Sequence, residues 1–146
     1  MKVKDCMCNS VIYLAPENTV YDCAKLMNEK HIGCIPLCNN NQSVVGLITD
    51  RDIVLRGVAC DKDIKNTMAS DIMTCKVCCC KDTDEIEQVE KMMSNEQVRR
   101  LPVVDNNNKI IGIITLKDMC INQNVNTQDV SQILGNICGN NNKNAE

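Results

Sequence analysis

Residues 101–118 read LPVVDNNNKIIGIITLKD, and residues 35–52 read IPLCNNNQSVVGLITDRD. Each places a short apolar run first, then an Asn-rich polar stretch, then a second apolar run holding one glycine, then Thr-x-x-Asp. Asn-rich residues between β-branched runs predict a hairpin. The two stretches lie 66 residues apart, and the same offset holds without a gap over residues 3–54 and 69–120. Identities fall at Asp5/Asp71, Met7/Met73, Val11/Val77, Lys25/Lys91, Met27/Met93, Pro36/Pro102, Asn40/Asn106, Asn41/Asn107, Gly46/Gly112, Ile48/Ile114, Thr49/Thr115 and Asp52/Asp118. That is 12 in 52 positions, where ordinary residue frequencies give roughly three by chance. The chain is an internal repeat, and a unit of this size buries its apolar face by packing against a neighbour.

Each copy runs through the same elements. Thr19 precedes Val20, Cys23, Ala24 and Met27, an i, i+3, i+4, i+7 stripe, with Asp22 three residues after the Thr; this predicts a capped amphipathic helix. The second copy keeps the stripe as Ile86, Val89 and Met93. Pro36 and Pro102 are expected where a strand begins, a position that can spare its N–H. The tetrads Thr49-Asp50-Arg51-Asp52 and Thr115-Leu116-Lys117-Asp118 have two readings. In one they are capping boxes. In the other they close a strand and open a helix where an anion is favoured, Arg51 or Lys117 pairing with phosphate and the Asp accepting both hydroxyls of a ribose.

Composition narrows the classes. With 146 residues the chain is long enough for a proper core and is expected to form one compact domain. A net charge of −3 leaves no basic surplus to neutralise a phosphate backbone. Two tyrosines, with no Phe or Trp, offer almost nothing for stacking bases. Nucleic acid is therefore not expected as a partner. No apolar run approaches the ~20 residues of a membrane span, and the Met1–Asp5 start is too polar for a secretory signal. A soluble cytoplasmic protein with no membrane partner is the expectation.

The paired segments Ile32-Gly33-Cys34-Ile35-Pro36 with Gly46-Leu47-Ile48-Thr49-Asp50-Arg51-Asp52, and Val98-Arg99-Arg100-Leu101-Pro102 with Gly112-Ile113-Ile114-Thr115-Leu116-Lys117-Asp118, each opened by an Asp-x-Met (Asp5-Cys6-Met7, Asp71-Ile72-Met73), resemble the tandem CBS-domain family, the Bateman module, in its stand-alone bacterial type. The resemblance spans roughly residues 1–121. It implies an α/β fold of the α+β type, two β-α-β-β-α motifs packed as a pseudo-twofold pair, with motif 1 at 1–60, a linker at 61–68 and motif 2 at 69–121. It implies a central cleft for AMP, ADP, ATP or S-adenosylmethionine as regulatory ligand, with no required cofactor. Carried over, Asp52 and Asp118 would hold ribose, and Thr49 and Thr115 would lie near phosphate. Ile32, Ile35, Pro36, Val98, Leu101 and Pro102 would form the walls. A homodimer is implied by the resemblance, and an effector protein has to be separate, because the chain has no room for one.

The copies differ where Gly33 and Cys34 align with Arg99 and Arg100. Arg100 could reach a phosphate, or either arginine could be a solvated strand-edge charge. His31, the only histidine, is expected on the surface at a helix end. Of the 12 cysteines, Cys78, Cys79 and Cys80 fall opposite Ile12, Tyr13 and Leu14, which predicts strand positions with Cys as a small hydrophobe. Only one Cys-x-x-Cys is present, so no metal site or catalytic residue is assigned; zinc or thiol sensing stays a minor alternative. The count itself points to a reducing interior, since that many thiols would scramble elsewhere. Ile53–Met68 reads as the end of a helix plus a crossing linker. Asn126-Thr127 is expected to cap a helix within 122–138 carrying Val130, Ile133, Leu134 and Ile137, followed by a disordered tail at 139–146. The leading expectation is an adenosyl-nucleotide sensor that is not an enzyme; the alternative is a dimeric scaffold with an unoccupied cleft.

Overall fold

Thr19 starts the first helix, as its spacing from Asp22 predicts. Its hydroxyl accepts the Asp22 N–H at 3.0 Å and the Asp22 carboxylate accepts the Thr19 N–H at 3.0 Å, so two orphan donors are satisfied at once. The computed structural model describes residues 1–122 and 125–141. Helix α1 spans Val20–Lys30, and His31, exposed and left-handed at φ 53°, closes it. Strands β1 (Cys34–Cys38) and β2 (Val44–Thr49) pair antiparallel. Their loop is tied by the Asn39 carboxamide, which accepts the N–H groups of Asn41 and Ser43, both at 3.0 Å. Helix α2 opens as Asp50–Asp52 and widens into a π-helix over Ile53–Val58.

The second copy repeats this plan with α3 (Ile86–Glu96), β4 (Arg100–Val104), β5 (Ile110–Thr115) and α4 (Leu116–Ile121). A short strand β3 (Cys80–Lys81) runs parallel to β4. The three expected cysteine strand positions thus reduce to one: Cys80 is in β3 and buried, whereas Cys78 and Cys79 precede it. Helix α5 spans Thr127–Asn141 and buries Val130, Ile133 and Ile137. It takes in residues 139–141 of the segment expected to be disordered; residues 142–146 of that segment lie outside the described residues.

Both prolines sit third in their strands rather than at the start. The Pro36 carbonyl accepts the Leu14 N–H at 3.1 Å, and the Cys38 N–H donates to the Leu14 carbonyl at 2.9 Å. The backbone atoms of residue 36 therefore face the Leu14 side and not β2, so the ring nitrogen is missed by no partner in the hairpin ladder.

Contacts divide the chain into two compact units where one was expected, and the units do not follow the repeat boundaries. The first-repeat unit holds Ile12–Val77 with Asn108–Ile110. Its core joins Val20, Cys23 and Met27 of α1 to Ile35, Leu37 and Ile48 of the hairpin, Ile53 of α2, and Ala69 and Ile72. The second-repeat unit holds Met1–Val11, Cys78–Asn107 and the chain from Ile111 onward. Its core joins Val3 and Cys80 to Ile86, Val89 and Met93, Leu101, Val103 and Ile114, Leu116 and Met119, and the α5 stripe. The opening segment of each copy has thus entered the other copy's unit. Cys8 pairs with Ile113 and Thr74 with Leu47 in antiparallel bridges at equivalent positions.

This exchange gives several repeat identities a physical cause. Asp5 and Asp71 close matching turns, accepting the N–H groups of Lys2 and Met68 at 3.1 and 3.2 Å. Met7 and Met73 then lie against Gly112 and Gly46. A Cβ on Gly112 would sit 2.5 Å from the Cys8 carbonyl oxygen, and one on Gly46 would meet the Met73 sulfur. The glycine is there because a second backbone crosses the strand at that point.

Candidate functional site

The tetrads stand at the ends of β2 and β5 and open α2 and α4. Both form complete capping boxes. Thr49 Oγ1 accepts the Asp52 N–H at 3.1 Å and Asp52 Oδ2 accepts the Thr49 N–H at 3.0 Å. In the second copy the same two bonds measure 3.0 and 2.9 Å, and the Thr115 hydroxyl adds a third to Asp118 Oδ2 at 2.8 Å. The capping reading therefore holds, and it does not exhaust the carboxylates. A carboxylate offers about four acceptor positions, and in both tetrads the box engages Oδ2 alone. The Asp is held rigidly at a strand end with Oδ1 outside the box, facing Arg56 in the first copy.

The two acids have different surroundings. Asp52, with a side chain 13% exposed, has Arg56 Nε at 4.0 Å from Oδ1 and accepts the Thr74 hydroxyl at 3.4 Å on Oδ2. Arg56 is itself anchored by the Ile72 and Met73 carbonyls, both at 3.3 Å. Neither Thr74 nor Arg56 was among the expected site residues. Thr74 aligns with Cys8 in the repeat, so no sequence signal marks it; only the crossing of residues 73–74 over β2 brings it to Asp52. Asp118 is half-buried and keeps the company of its own Thr115.

The remaining expected residues separate into two groups. Arg51 and Lys117 are exposed, and Arg100 is half-buried. Ile32 and Val98 are half-buried at the chain's return from α1 and α3, where their N–H groups donate to the Met27 and Met93 carbonyls at 3.1 and 3.0 Å. Ile35, Leu101, Pro36 and Pro102 are buried, with Ile35 and Leu101 packed into the two cores.

Cys23, Cys34, Cys38 and Cys80 are buried as apolar filler, whereas Cys8, Cys60, Cys75, Cys120 and Cys138 are exposed. Burial pushes the Cys23 thiol up to about 11 and the Cys80 thiol up to about 12, so both are protonated and unreactive near neutrality. Among the described residues no three His, Cys, Asp or Glu side chains come together to hold a metal ion. No described helix is long and apolar enough to cross a membrane.

A tandem of αβ repeats, each closing its second strand with a Thr-capped Asp, defines the class of paired αβ-repeat modules. The CBS-domain family model matches residues 3–59 and 69–122, and the chain belongs to that family. It is 36% identical over 136 residues to the CBS domain-containing protein YhcV of Bacillus subtilis, covering 92% of this chain and 94% of that one. Among solved structures it resembles the CBS-domain pair of protein MJ0100 in complex with 5′-methylthioadenosine and S-adenosyl-L-methionine, with a TM-score of 0.73, 26% identity, and 82% and 96% of the two chains covered. It also resembles Hypoxic Response Protein I with two coordinated zinc ions, with a TM-score of 0.75, 28% identity, and 82% and 97% covered. A hexameric CBS-CP12 protein from bloom-forming cyanobacteria gives a TM-score of 0.72 at 25% identity, with 83% and 67% covered.

Proposed function

We propose that this chain is a regulatory adenosyl-ligand module, binding AMP, ADP, ATP or S-adenosylmethionine and acting on a separate partner protein, with no catalysis of its own. One observation carries the reading: both tetrads hold an Asp that is locked at a strand end by its Thr with Oδ1 outside the capping box. A ribose diol presents two hydroxyl donors at a fixed separation, which such a carboxylate accepts well. Lys117 and Arg100 are the cations for phosphate, Arg51 stands at the tetrad position matching Lys117, and Ile32 and Val98 are the half-buried apolar contacts for the base. Support from outside the chain is the adenosyl complex of the MJ0100 pair.

The test is titration calorimetry on the wild type, Asp52→Ala and Asp118→Ala. Each variant should weaken an adenosyl ligand by about 1.5–3 kcal/mol, the scale of hydrogen bonds to a charged group. Unchanged affinity in both would remove the ribose assignment.

The module acts as a homodimer in this reading. Leu55 is 47% exposed and the equivalent Ile121 is 67% exposed, so each copy presents an apolar residue at the same place on the same helix. Leu55→Asp with Ile121→Asp should halve the mass seen by sedimentation; a monomeric wild type would end the dimer reading. A second function, a dimeric scaffold with an unoccupied cleft, is favoured by the same exposed residues and by the self-satisfied capping boxes. A flat thermal-shift response to the adenosyl panel would select it. The twelve cysteines fit a reducing cytoplasm.

A further inference from the structure

The tetrads match in geometry and differ in charge. In the first-repeat unit the Asp50 N–H donates to the Gly33 carbonyl at 3.0 Å, and in the second-repeat unit the Leu116 N–H makes the equivalent bond to Arg99 at 2.9 Å. Around this shared bond the side chains are exchanged. The Asp50 carboxylate folds over Gly33, where an added Cβ would lie 3.0 Å from its Oδ2, and Asp50 Oδ1 accepts the Arg51 N–H at 2.9 Å. At the matching place Leu116 is buried, leaving Arg99 exposed and Arg100 half-buried. Positions 33, 34 and 50–52 carry one cation and two carboxylates; positions 99, 100 and 116–118 carry three cations and one carboxylate.

We propose that the two half-sites sort adenosyl ligands by charge: Arg99, Arg100 and Lys117 make the second-repeat half-site take a phosphate-bearing nucleotide, whereas Asp50 makes the first-repeat half-site take an uncharged or cationic adenosyl ligand, a thioether or a sulfonium. This rests on the adenosyl reading above. A phosphate at the first tetrad meets a carboxylate folded over the glycine that leaves it room. The cations there are Arg51, which is exposed, and Arg56, which is already engaged with Asp52 and the Ile72 and Met73 carbonyls. A sulfonium reverses the balance, attracted by Asp50 and repelled by the three cations of the second tetrad. Charge-assisted bonds to phosphate supply the affinity on the second side, and like-charge contact supplies the exclusion on the first.

The experiment is calorimetry on the full chain with ATP and with 5′-methylthioadenosine as probes. Asp118→Ala should remove ATP binding and spare the thioether, and Asp52→Ala should do the reverse. Arg99→Gln with Arg100→Gln, which removes both charges from an exposed and a half-buried position, should weaken ATP about tenfold, the scale of one charge-assisted hydrogen bond, and leave the thioether within twofold. Asp50→Asn should let ATP into the first half-site. Added salt should weaken ATP and not the thioether. The sorting is overturned if both probes lose affinity in the same Asp variant, or if the charge exchanges leave their ratio unchanged. If neither probe binds the wild type, the adenosyl reading falls and this inference with it, a result distinct from binding without sorting.

Discussion

Thr49 and Thr115 each do two things with one side chain. The hydroxyl accepts the N–H of the Asp three residues on, which ends the strand and starts the helix, and the same geometry fixes the Asp carboxylate. Structure and candidate function therefore share atoms, which is why the capping and ribose readings of Thr-x-x-Asp were never exclusive. The glycine before each tetrad is set by a different demand. A Cβ at Gly112 would lie 2.5 Å from a backbone oxygen, which cannot turn aside as a side chain can. Gly112→Ala should thus destabilise the second-repeat unit by about 1–3 kcal/mol, the cost of overpacking a close contact. Gly46→Ala should cost less, because its nearest neighbour is the flexible Met73 side chain. Urea unfolding of both variants ranks them; equal loss would mean the crossing segment moves as easily in either unit.

At the scale of elements, α5 lies outside both family matches and still supplies Val130, Ile133 and Ile137 to a core. It docks along α3 across a groove of about 430 Å³ lined by Glu87, Glu90, Lys91 and Asp129 among others. Burial, then the charges of Asp129 and Glu87, raise the Glu90 carboxyl above its ordinary value of 4.5. The folded state therefore holds this proton more tightly than the unfolded chain, so the Glu90 contribution favours folding at low pH and is lost as pH rises from about 4.5 through the raised value. Glu90→Gln should stabilise the protein at pH 7 by a few tenths of a kcal/mol, solvent screening keeping it small. The gain should vanish near pH 4. Thermal melts of the pair across that range check it, and a Gln variant melting below wild type at pH 7 would contradict it.

The whole molecule is divided by contacts and not by sequence order. Met1–Val11 belongs with the second repeat: Val3 and Lys4 donate to the Asp84 and Asp82 carbonyls at 2.9 and 3.0 Å, and Lys2 Nζ pairs with Glu85 at 2.7 Å. Residues 69–70 make the matching bonds, at 2.7 and 3.0 Å, to Asn18 and Pro16 in the first-repeat unit. Removing residues 1–11 should accordingly strip hydrogen-exchange protection from α3, β4 and β5, far from the cut in sequence, before it affects α1, β1 and β2. Loss confined to α1 and its hairpin would show that the opener supports its own copy.

The amino-acid sequence by itself shows the repeat as a constant 66-residue offset, and it makes the hairpins, the α1 cap and the tetrads legible because each depends on residues a few positions apart: a Thr and the acid three places on, an Asn tying its own loop, an apolar stripe at helical spacing. Its errors fall where that range ends. It placed Pro36 and Pro102 at strand starts, because the partner that explains their third position is the Leu14 segment, and it missed Thr74 and Arg56 beside Asp52. The tertiary structure alone decided which unit each Asp-x-Met opener joins and which backbone crosses Gly46 and Gly112. The openers are nearly equivalent in composition, so local preference is the same for either unit. Only packing of Val3, Ala69 and Ile72 into particular cores selects between them.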